Sequence, residues 1–351
     1  MRKIFVLFIF VSVFGYSQEY IETILEKNIG LEKNEKCKNI IRTSDNAYLL
    51  TGFTDSEGKG DRDIWVAKVS ETGDVIWKSV FGDKLKDEGN ASIETKKGFV
   101  TVGFMNDPFS GYTKGVLLFH SKEGKLKRKV YFANSSFTKL NAIAQQGNEY
   151  YITGIKKNSG DDDDNIFVAK LNSGFSKLWI QNLGEKYFSD EAFAIKINKN
   201  LDIYIAGYSN SNNDNSNIYC AKLDNHGSPI IQNTIKTEGS EVIYDMAFDA
   251  DDNVILVGKT TEGSKGGDDM LFVKLDRNLK LIKRSVLGDF KNDVLKSVIA
   301  VDDGYIAGGY TESLNEERTM YMLKFDMDGD VVWERMNNSY YQSEINGIVL
   351  N

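Results

Sequence analysis

Residues 48–54 read YLLTGFT, an apolar run that ends on a glycine and a further bulky residue. The figure returns as FVTVGFM (99–105), YYITGIK (150–156), IYIAGYS (203–209), VILVGKT (254–260) and YIAGGYT (305–311). The glycines, Gly52, Gly103, Gly154, Gly207, Gly258 and Gly309, are spaced by 51, 51, 53, 51 and 51 residues. So regular a period marks one supersecondary unit that buries its apolar faces by stacking on copies of itself. A residue without Cβ lets a neighbouring backbone or a large ring come close. The expected use here is room for Trp or Tyr between facing sheets.

Working outward from each glycine, every period holds four short apolar runs divided by polar turn residues. In the first period they are KNIIRTS, AYLLTGF, DIWVAKV and DVIWKSV; in the sixth LKSVIAV, GYIAGGY, MYMLKFD and DVVWERM. Runs this short, rich in Val, Ile, Tyr, Phe and Trp and bounded by Gly, Asn, Asp and Ser, predict strands. No apolar pattern of period 3.6 persists long enough for a helix. Four strands per unit of this length predict an all-β fold, a β-propeller of four-stranded antiparallel blades. Six units are complete. A spare fourth-type run precedes them (Tyr20–Ile29) and a spare first-type run follows (Glu344–Asn351). Pairing strands from the two ends would hide open sheet edges, so the reading is six blades closed at that seam. Seven blades with a reduced last one is the alternative.

The N-terminus, MRKIFVLFIFVSVFGYSQ, places Arg2 and Lys3 before an apolar run from Ile4 to Phe14, with Gly15 and Ser17 as the small residues of a cleavage site. This is the pattern of a secretory signal peptide, too short to span a membrane. Residues 1–17 are read as a leader cut after Ser17, and 18–351 as one propeller domain, exported to the periplasm or secreted. No later stretch has the length of a transmembrane helix. Losing the two leader cations takes the net charge from −8 to −10. An acidic chain lacks the basic footprint of a nucleic-acid or anionic-lipid binder. The two cysteines, Cys37 and Cys220, lie far apart, and the apolar place of Cys220 favours a buried free thiol.

Third and fourth runs are joined by SETGD, SKEGK, NSGFS, DNHGS, DRNLK and DMDGD. Gly73, Gly124, Gly174, Gly227 and Gly329 are expected where φ is positive, with Asn278 in that role in unit 5. Beyond the turn stand Trp77, Trp179 and Trp333 at matching places in units 1, 3 and 6. Ala67, Thr72, Gly73 and Trp77, echoed by Ala169, Gly174 and Trp179 and by Gly329 and Trp333, resemble the tryptophan-docking motif of quinoprotein-like propellers. That group includes alcohol dehydrogenases and non-catalytic outer-membrane assembly scaffolds. The resemblance implies that the Trp fastens one blade to the next; Val69 departs from the motif, whose usual residue there is Asp. The units also resemble tandem propeller repeats of exported bacterial proteins. A dehydrogenase of that group would need a quinone pocket, Ca²⁺ and an Asp base, and its frequent vicinal Cys pair is absent. No segment interrupts the six units for a cofactor, so no cofactor is expected.

Hydrolytic chemistry finds little to build on. The two histidines are His120, at a place occupied by Val69, Leu171, Leu223, Leu275 and Phe325 in other units, and His226, in a turn. They supply neither a multi-His metal site nor a serine triad. No Ser-x-Asp-x-Gly sialidase box occurs. Acidic loops between second and third runs carry Asp161, Asp162, Asp163 and Asp164, then Asp61 and Asp63, then Asp268 and Asp269. They could offer oxygens to Ca²⁺, but none has the spaced D-x-D-x-D-G pattern. They are read as solvated loops, with Asp161–Asp164 the weak metal candidates.

In a propeller the loops between second and third strands and those between blades emerge on one face. Here they gather Asn, Asp and Ser with Phe109, Tyr112, Tyr187, Phe188, Phe290, Tyr340 and Tyr341. Aromatic anchors among amides and hydroxyls suit a protein or a glycan. Phe109 and Tyr112 are the leading ligand candidates, followed by Tyr187 and Tyr340, while aromatics between blades are expected to pack there. The expectation is a monomeric, non-catalytic binding scaffold of the bacterial envelope or exterior. The alternative is a hydrolase or lyase acting on polysaccharide through loop carboxylates.

Overall fold

A computed structural model of the chain describes residues 29–30, 33–132, 135–157, 164–184, 188–210, 215–313, 317–336 and 342–350. The leader, the extra run Tyr20–Ile29 apart from its last residue, Asp161–Asp163, Tyr187, Tyr340 and Tyr341 lie outside them. Among the described residues there are strands and turns but no helix, and the fold is a β-propeller of several blades. The strands fall into six units, 35–81, 88–132, 137–183, 190–235, 241–287 and 293–336, each an antiparallel meander of four. Units 2 and 3 join into one eight-stranded sheet through a single parallel bridge, Thr113 to Phe137.

Burial follows from this stacking. Second and third strands such as Tyr48–Thr54 and Asp63–Val69 are buried along their whole length, because both faces of the sheet are covered by neighbouring units. That is why they read as nearly unbroken apolar runs. Fourth strands lie outermost and expose Val75, Ile76, Leu281 and Ile282. The core is correspondingly divided among the gaps. One cluster joins Val102 and Leu117 of unit 2 to Ile152 and Phe167 of unit 3; another joins Ile205 and Tyr219 of unit 4 to Tyr151 and Val168 of unit 3.

The repeated glycine serves its own sheet instead of the gap between blades. A Cβ on Gly52 would fall 1.7 Å from the Lys36 carbonyl oxygen. The corresponding approaches at Gly103, Gly154, Gly207, Gly258 and Gly309 are 2.0, 2.0, 1.9, 1.8 and 1.8 Å, each to the facing first strand. The reason is a β-bulge opposite every one of them. Pairing runs Cys37 to Gly52 and then Asn39 to Thr51, leaving Lys38 without a partner residue.

The turn glycines need a correction as well. Positive φ occurs at Gly73, Gly124, Gly227 and Gly329, but in units 3 and 5 it falls on Phe175 (62°) and Leu279 (61°), not on Gly174 or Asn278. The turn bond decides this: Gly73 N–H donates to Ser70, Phe175 to Asn172 and Leu279 to Asp276, always three residues back. Packing offsets the left-handed strain, which costs a residue with Cβ about 1–2 kcal/mol. Where the preceding unit has a Trp, the turn has a glycine. The Trp77 indole N–H donates to Lys122 O (3.0 Å), and a Cβ on Gly124 would lie 2.3 Å from its ring. Trp179 covers Gly227 in the same manner, 2.9 Å away. Where Arg128 or Ile231 takes the Trp place, the turn supplies the large group. Phe175 stacks 4.1 Å from Tyr150 and meets Phe119 edge-on at 4.6 Å, while Leu279 is 1% exposed beside Ile231. In these four gaps one bulky side chain fills the place, though its donor switches sides; between units 5 and 6, Lys283 faces Gly329 and Phe272 fills in.

Residues 342–350 close the gap between units 6 and 1. Ser343 N–H donates to Arg318 O, the bond that Asp87 makes to Arg62 O and Asp293 to Asp268 O at other gaps. Glu344 pairs with Arg318 of unit 6 and Lys36 of unit 1. Ile345 N–H reaches Gly309 O (3.0 Å), and Val349 packs with Ile40 and Tyr48. The C-terminal run thus sits where a further first strand would, and Trp333, at the Trp place of unit 6, has a buried Nε1 without a hydrogen-bond partner among the described residues.

Candidate functional site

The bulges place one side chain per unit outside the ladder, and bulges are a common means of re-aiming a residue beside a site. The unpaired residues are Lys38, Asn90, Asn141, Phe193, Tyr244 and Lys296. All are half-buried, and the first five each touch the next unit. Lys38 Nζ donates to Asn90 Oδ1 (2.8 Å). Asn90 Nδ2 donates to Leu140 O (2.9 Å), and Asn141 Nδ2 to Ala192 O (2.9 Å) and Glu191 Oε1 (2.8 Å). Phe193 lies 5.6 Å from Tyr244, whose face holds Lys296 Nζ at 3.9 Å. The first strands, where blades converge, therefore carry an unbroken series of contacts around the axis from unit 1 to unit 6. One arc is amide and charge; the other is aromatic, extended by Tyr208 (6.1 Å from Phe193) and by Tyr310 under the Arg318 guanidinium (3.9 Å).

Charge at the ring is largely committed. Burial raises the Glu88 carboxyl, but contacts with Lys38 and Arg62 outweigh it and hold the group low. Glu344 is likewise brought down to about 2, its burial overcome chiefly by Lys36. Glu191 differs: burial keeps it raised despite Asn141 and Tyr208. Lys296, desolvated and near Lys36, Arg318 and Lys259, is lowered to about 8. Asp164 acts on Glu191 and helps to raise it, and among the described residues no three His, Cys, Asp or Glu side chains converge on a metal-sized site.

The residues expected to bind ligand lie elsewhere. Phe109 is 98% exposed and Tyr112 47% exposed, on a unit 2 loop held by N–H bonds from Phe109 and Ser110 to Asp107; neither touches the ring. Phe290, expected to pack between blades, is instead 77% exposed. Asp63 and Asp269, read as solvated, are buried: Asp63 turns inward to accept the N–H groups of Lys59 and Gly60 (3.0 and 3.1 Å). Asp164 begins the third strand of unit 3, half-buried. His120 is buried, 3% exposed, with neither ring nitrogen bonded among the described residues. A groove of 450 Å³ lined by Ile29, Trp65 and Trp77 marks the outer part of unit 1, not the axis. The ring escaped sequence reading because a bulge shows only when strand pairing is known. Its trace was a place two residues before each first strand's apolar stretch resumes, where Lys, Asn, Phe and Tyr interchange freely.

No protein-family model matches the chain, and no curated protein matches it in sequence. Solved structures do resemble it. The periplasmic gluconolactonase of Pseudomonas aeruginosa superposes with a TM-score of 0.56 at 10% identity over 90% of this chain and 88% of its own. A polysaccharide lyase of family 25, an ulvan lyase, gives 0.56 at 10% identity over 85% and 82%. A protein of unknown function from Dyadobacter fermentans gives 0.52 at 10% over 83% and 95%. Likeness at this identity concerns the fold alone.

Proposed function

We propose that the protein is an exported, monomeric, non-catalytic propeller that binds a glycan or an extended protein segment at the axial ring. The observation that carries this reading is the ring itself: Asn90, Asn141, Phe193 and Tyr244 present amides and aromatic faces around one axis. Such groups anchor sugars and peptides alike. Glu88 and Glu344 are held by cations, so they are poorly disposed to serve as acid and base. The leader pattern supports export, and the tryptophan fastening resembles that of quinoprotein-like scaffolds. Binding of the full chain to glycan arrays and envelope-protein pull-downs tests the reading. Asn141→Ala and Tyr244→Ala should each abolish the signal in a chain that still folds, with Tm lowered by the lost contact between units, whereas Phe109→Ala should leave it. Loss with Phe109→Ala and Tyr112→Ala, but not with the ring variants, would move the site to the loop. Fractionation of cells would show the mature chain in the periplasm or medium; retention in the cytoplasm would refute export.

A polysaccharide lyase or hydrolase is the second reading. It draws on Lys296, lowered to about 8 beside Tyr244, and on the raised Glu191. New chain ends released from an acidic polysaccharide, lost in Lys296→Met, would establish it over binding alone.

A further inference from the structure

Two of the gaps between units enclose a pair of buried carboxylates. Asp63 opens a third strand of unit 1 and Asp87 precedes the first strand of unit 2; both are 0% exposed. Asp63 Oδ2 accepts the N–H groups of Lys59 and Gly60, while Asp87 accepts those of Asp83 (2.7 Å) and Asn106 (2.9 Å). Asp63 Oδ1 is buried with no hydrogen-bond partner among the described residues. It is aimed at the partner carboxylate: the place a Cβ on Gly82 would take lies 1.9 Å from Asp63 Oδ1 and 2.8 Å from Asp87 Oδ2.

Units 5 and 6 repeat the arrangement with Asp269 and Asp293, 2% and 1% exposed. Here Asp289 N–H and the Ser313 hydroxyl donate to Asp293 Oδ2 at 2.9 and 2.8 Å, and Asp269 Oδ1 and Asp293 Oδ1 are buried without partners among the described residues. The Cβ place of Gly288 lies 2.4 Å from Asp269 Oδ1 and 2.7 Å from Asp293 Oδ2. Both gaps share a sequence signature, GDKLKD (82–87) and GDFKND (288–293).

Two carboxylates this close in a dry site need a counter-charge. Among the described residues no Lys or Arg is in ion-pair contact with Asp63, Asp87, Asp269 or Asp293; the Lys265 ammonium, paired with Asp289, acts on Asp269 only from a distance. The third gap also buries a carboxylate at the Asp87 place, Asp190 (0% exposed), opposite Asn165 and near Asp164; three other gaps avoid the problem. At the fourth, one carboxylate, Glu241, faces Asn217, with the Thr260 hydroxyl at 2.7 Å and Arg284 at 3.9 Å; at the second and sixth, Thr138 and Ser343 hold the Asp87 place. A shared proton is the competing solution. Burial and the facing carboxylate raise both Asp87, to about 6, and Asp269, so a proton and a cation compete for each pair.

We propose that each of these two gaps binds a Ca²⁺ ion, one between Asp63 and Asp87 and one between Asp269 and Asp293. Ca²⁺ prefers oxygen ligands at about 2.3–2.6 Å and accepts carbonyls and water beside carboxylates. No third acidic side chain joins either pair among the described residues, so carbonyls and water complete the shell. Carbonyls of Asp83 and Leu85 crowd Gly60, and that of Phe290 crowds Gly266, in the same loop junctions. The lack of a side chain at Gly82 and Gly288 lets both carboxylates of each pair close in on the backbone there. The ions would clamp unit 1 to unit 2 and unit 5 to unit 6.

Calcium titration of the full chain, freed of metal with chelator, tests this by calorimetry and thermal melting. Two ions should bind per chain, and Tm should rise with calcium concentration. Asp63→Asn keeps the acceptor for Lys59 and Gly60 and should reduce the count to one, as should Asp269→Asn; Gly82→Ala should also remove one. No heat and no Tm response in the parent chain would overturn the proposal, as would an unchanged count in the double Asp→Asn variant. A Tm insensitive to calcium that climbs as pH falls through about 6 would assign the pairs to a shared proton instead.

Discussion

Gly124→Ala should be costly in the parent chain and cheap once Trp77 is gone. In the parent, the added methyl would lie 2.3 Å from Trp77 Cδ2 and 2.4 Å from Cε3, at a backbone φ of 80°. Left-handed strain contributes about 1–2 kcal/mol, and overpacking about 1–3 kcal/mol. Displacing the indole also breaks its bond to Lys122 O, worth about 1 kcal/mol. The expected total is about 3–6 kcal/mol. In Trp77→Ala only the strain remains, so the same substitution should cost about 1–2 kcal/mol, a coupling of about 2–4 kcal/mol. Urea unfolding followed by far-ultraviolet circular dichroism measures the four corners of the cycle, with midpoints compared at equal m-value. If Gly124→Ala cost the same in both backgrounds, the indole would not be seated on the turn, and the account of the gap as one socket filled from either side would fail.

Other outcomes follow from the same geometry. Leu279→Gly relieves a positive φ but empties a fully buried place, so it should destabilise by about 2–4 kcal/mol; a gain in urea midpoint would show that strain outweighs packing there. Burial lowers His120 to about 4. The unfolded chain therefore takes up that proton first, and stability drains away as pH falls from about 6.5 to 4, on the order of 3 kcal/mol in all. His120→Leu should be increasingly favourable over that window, and an offset independent of pH would contradict the assignment. Glu344 is depressed to about 2, so its contribution is present above pH 4.5 and lost as pH falls toward 2. Glu344→Gln should cost about 2 kcal/mol at pH 7, allowing for the partial exposure of Lys36 and Arg318, and this penalty should vanish in acid melts.

The strand content, the period and the turn positions were legible in the residues, because each depends on local pattern. Apolar runs of seven or eight residues around Gly52 or Gly309 read as strands buried on both faces, and their recurrence fixes the stacking. The face of Trp77 was legible too, since its motif recurs. What could not be read is anything set by register. Lys38, Asn141 and Tyr244 sit in ordinary strand positions until pairing leaves them opposite nothing, and only then do they point along the axis.

The sequence by itself determined a repeated all-β scaffold, its turns and the tryptophan fastenings, because backbone propensity and burial act within one unit. Tertiary structure alone decided where chemistry gathers. The axial ring joins residues about one period apart, and Asp63 meets Asp87 only because two loops from different units converge. Left-handed φ at Phe175 and Leu279 was decided in the same way, since the energy that tolerates it comes from the facing blade.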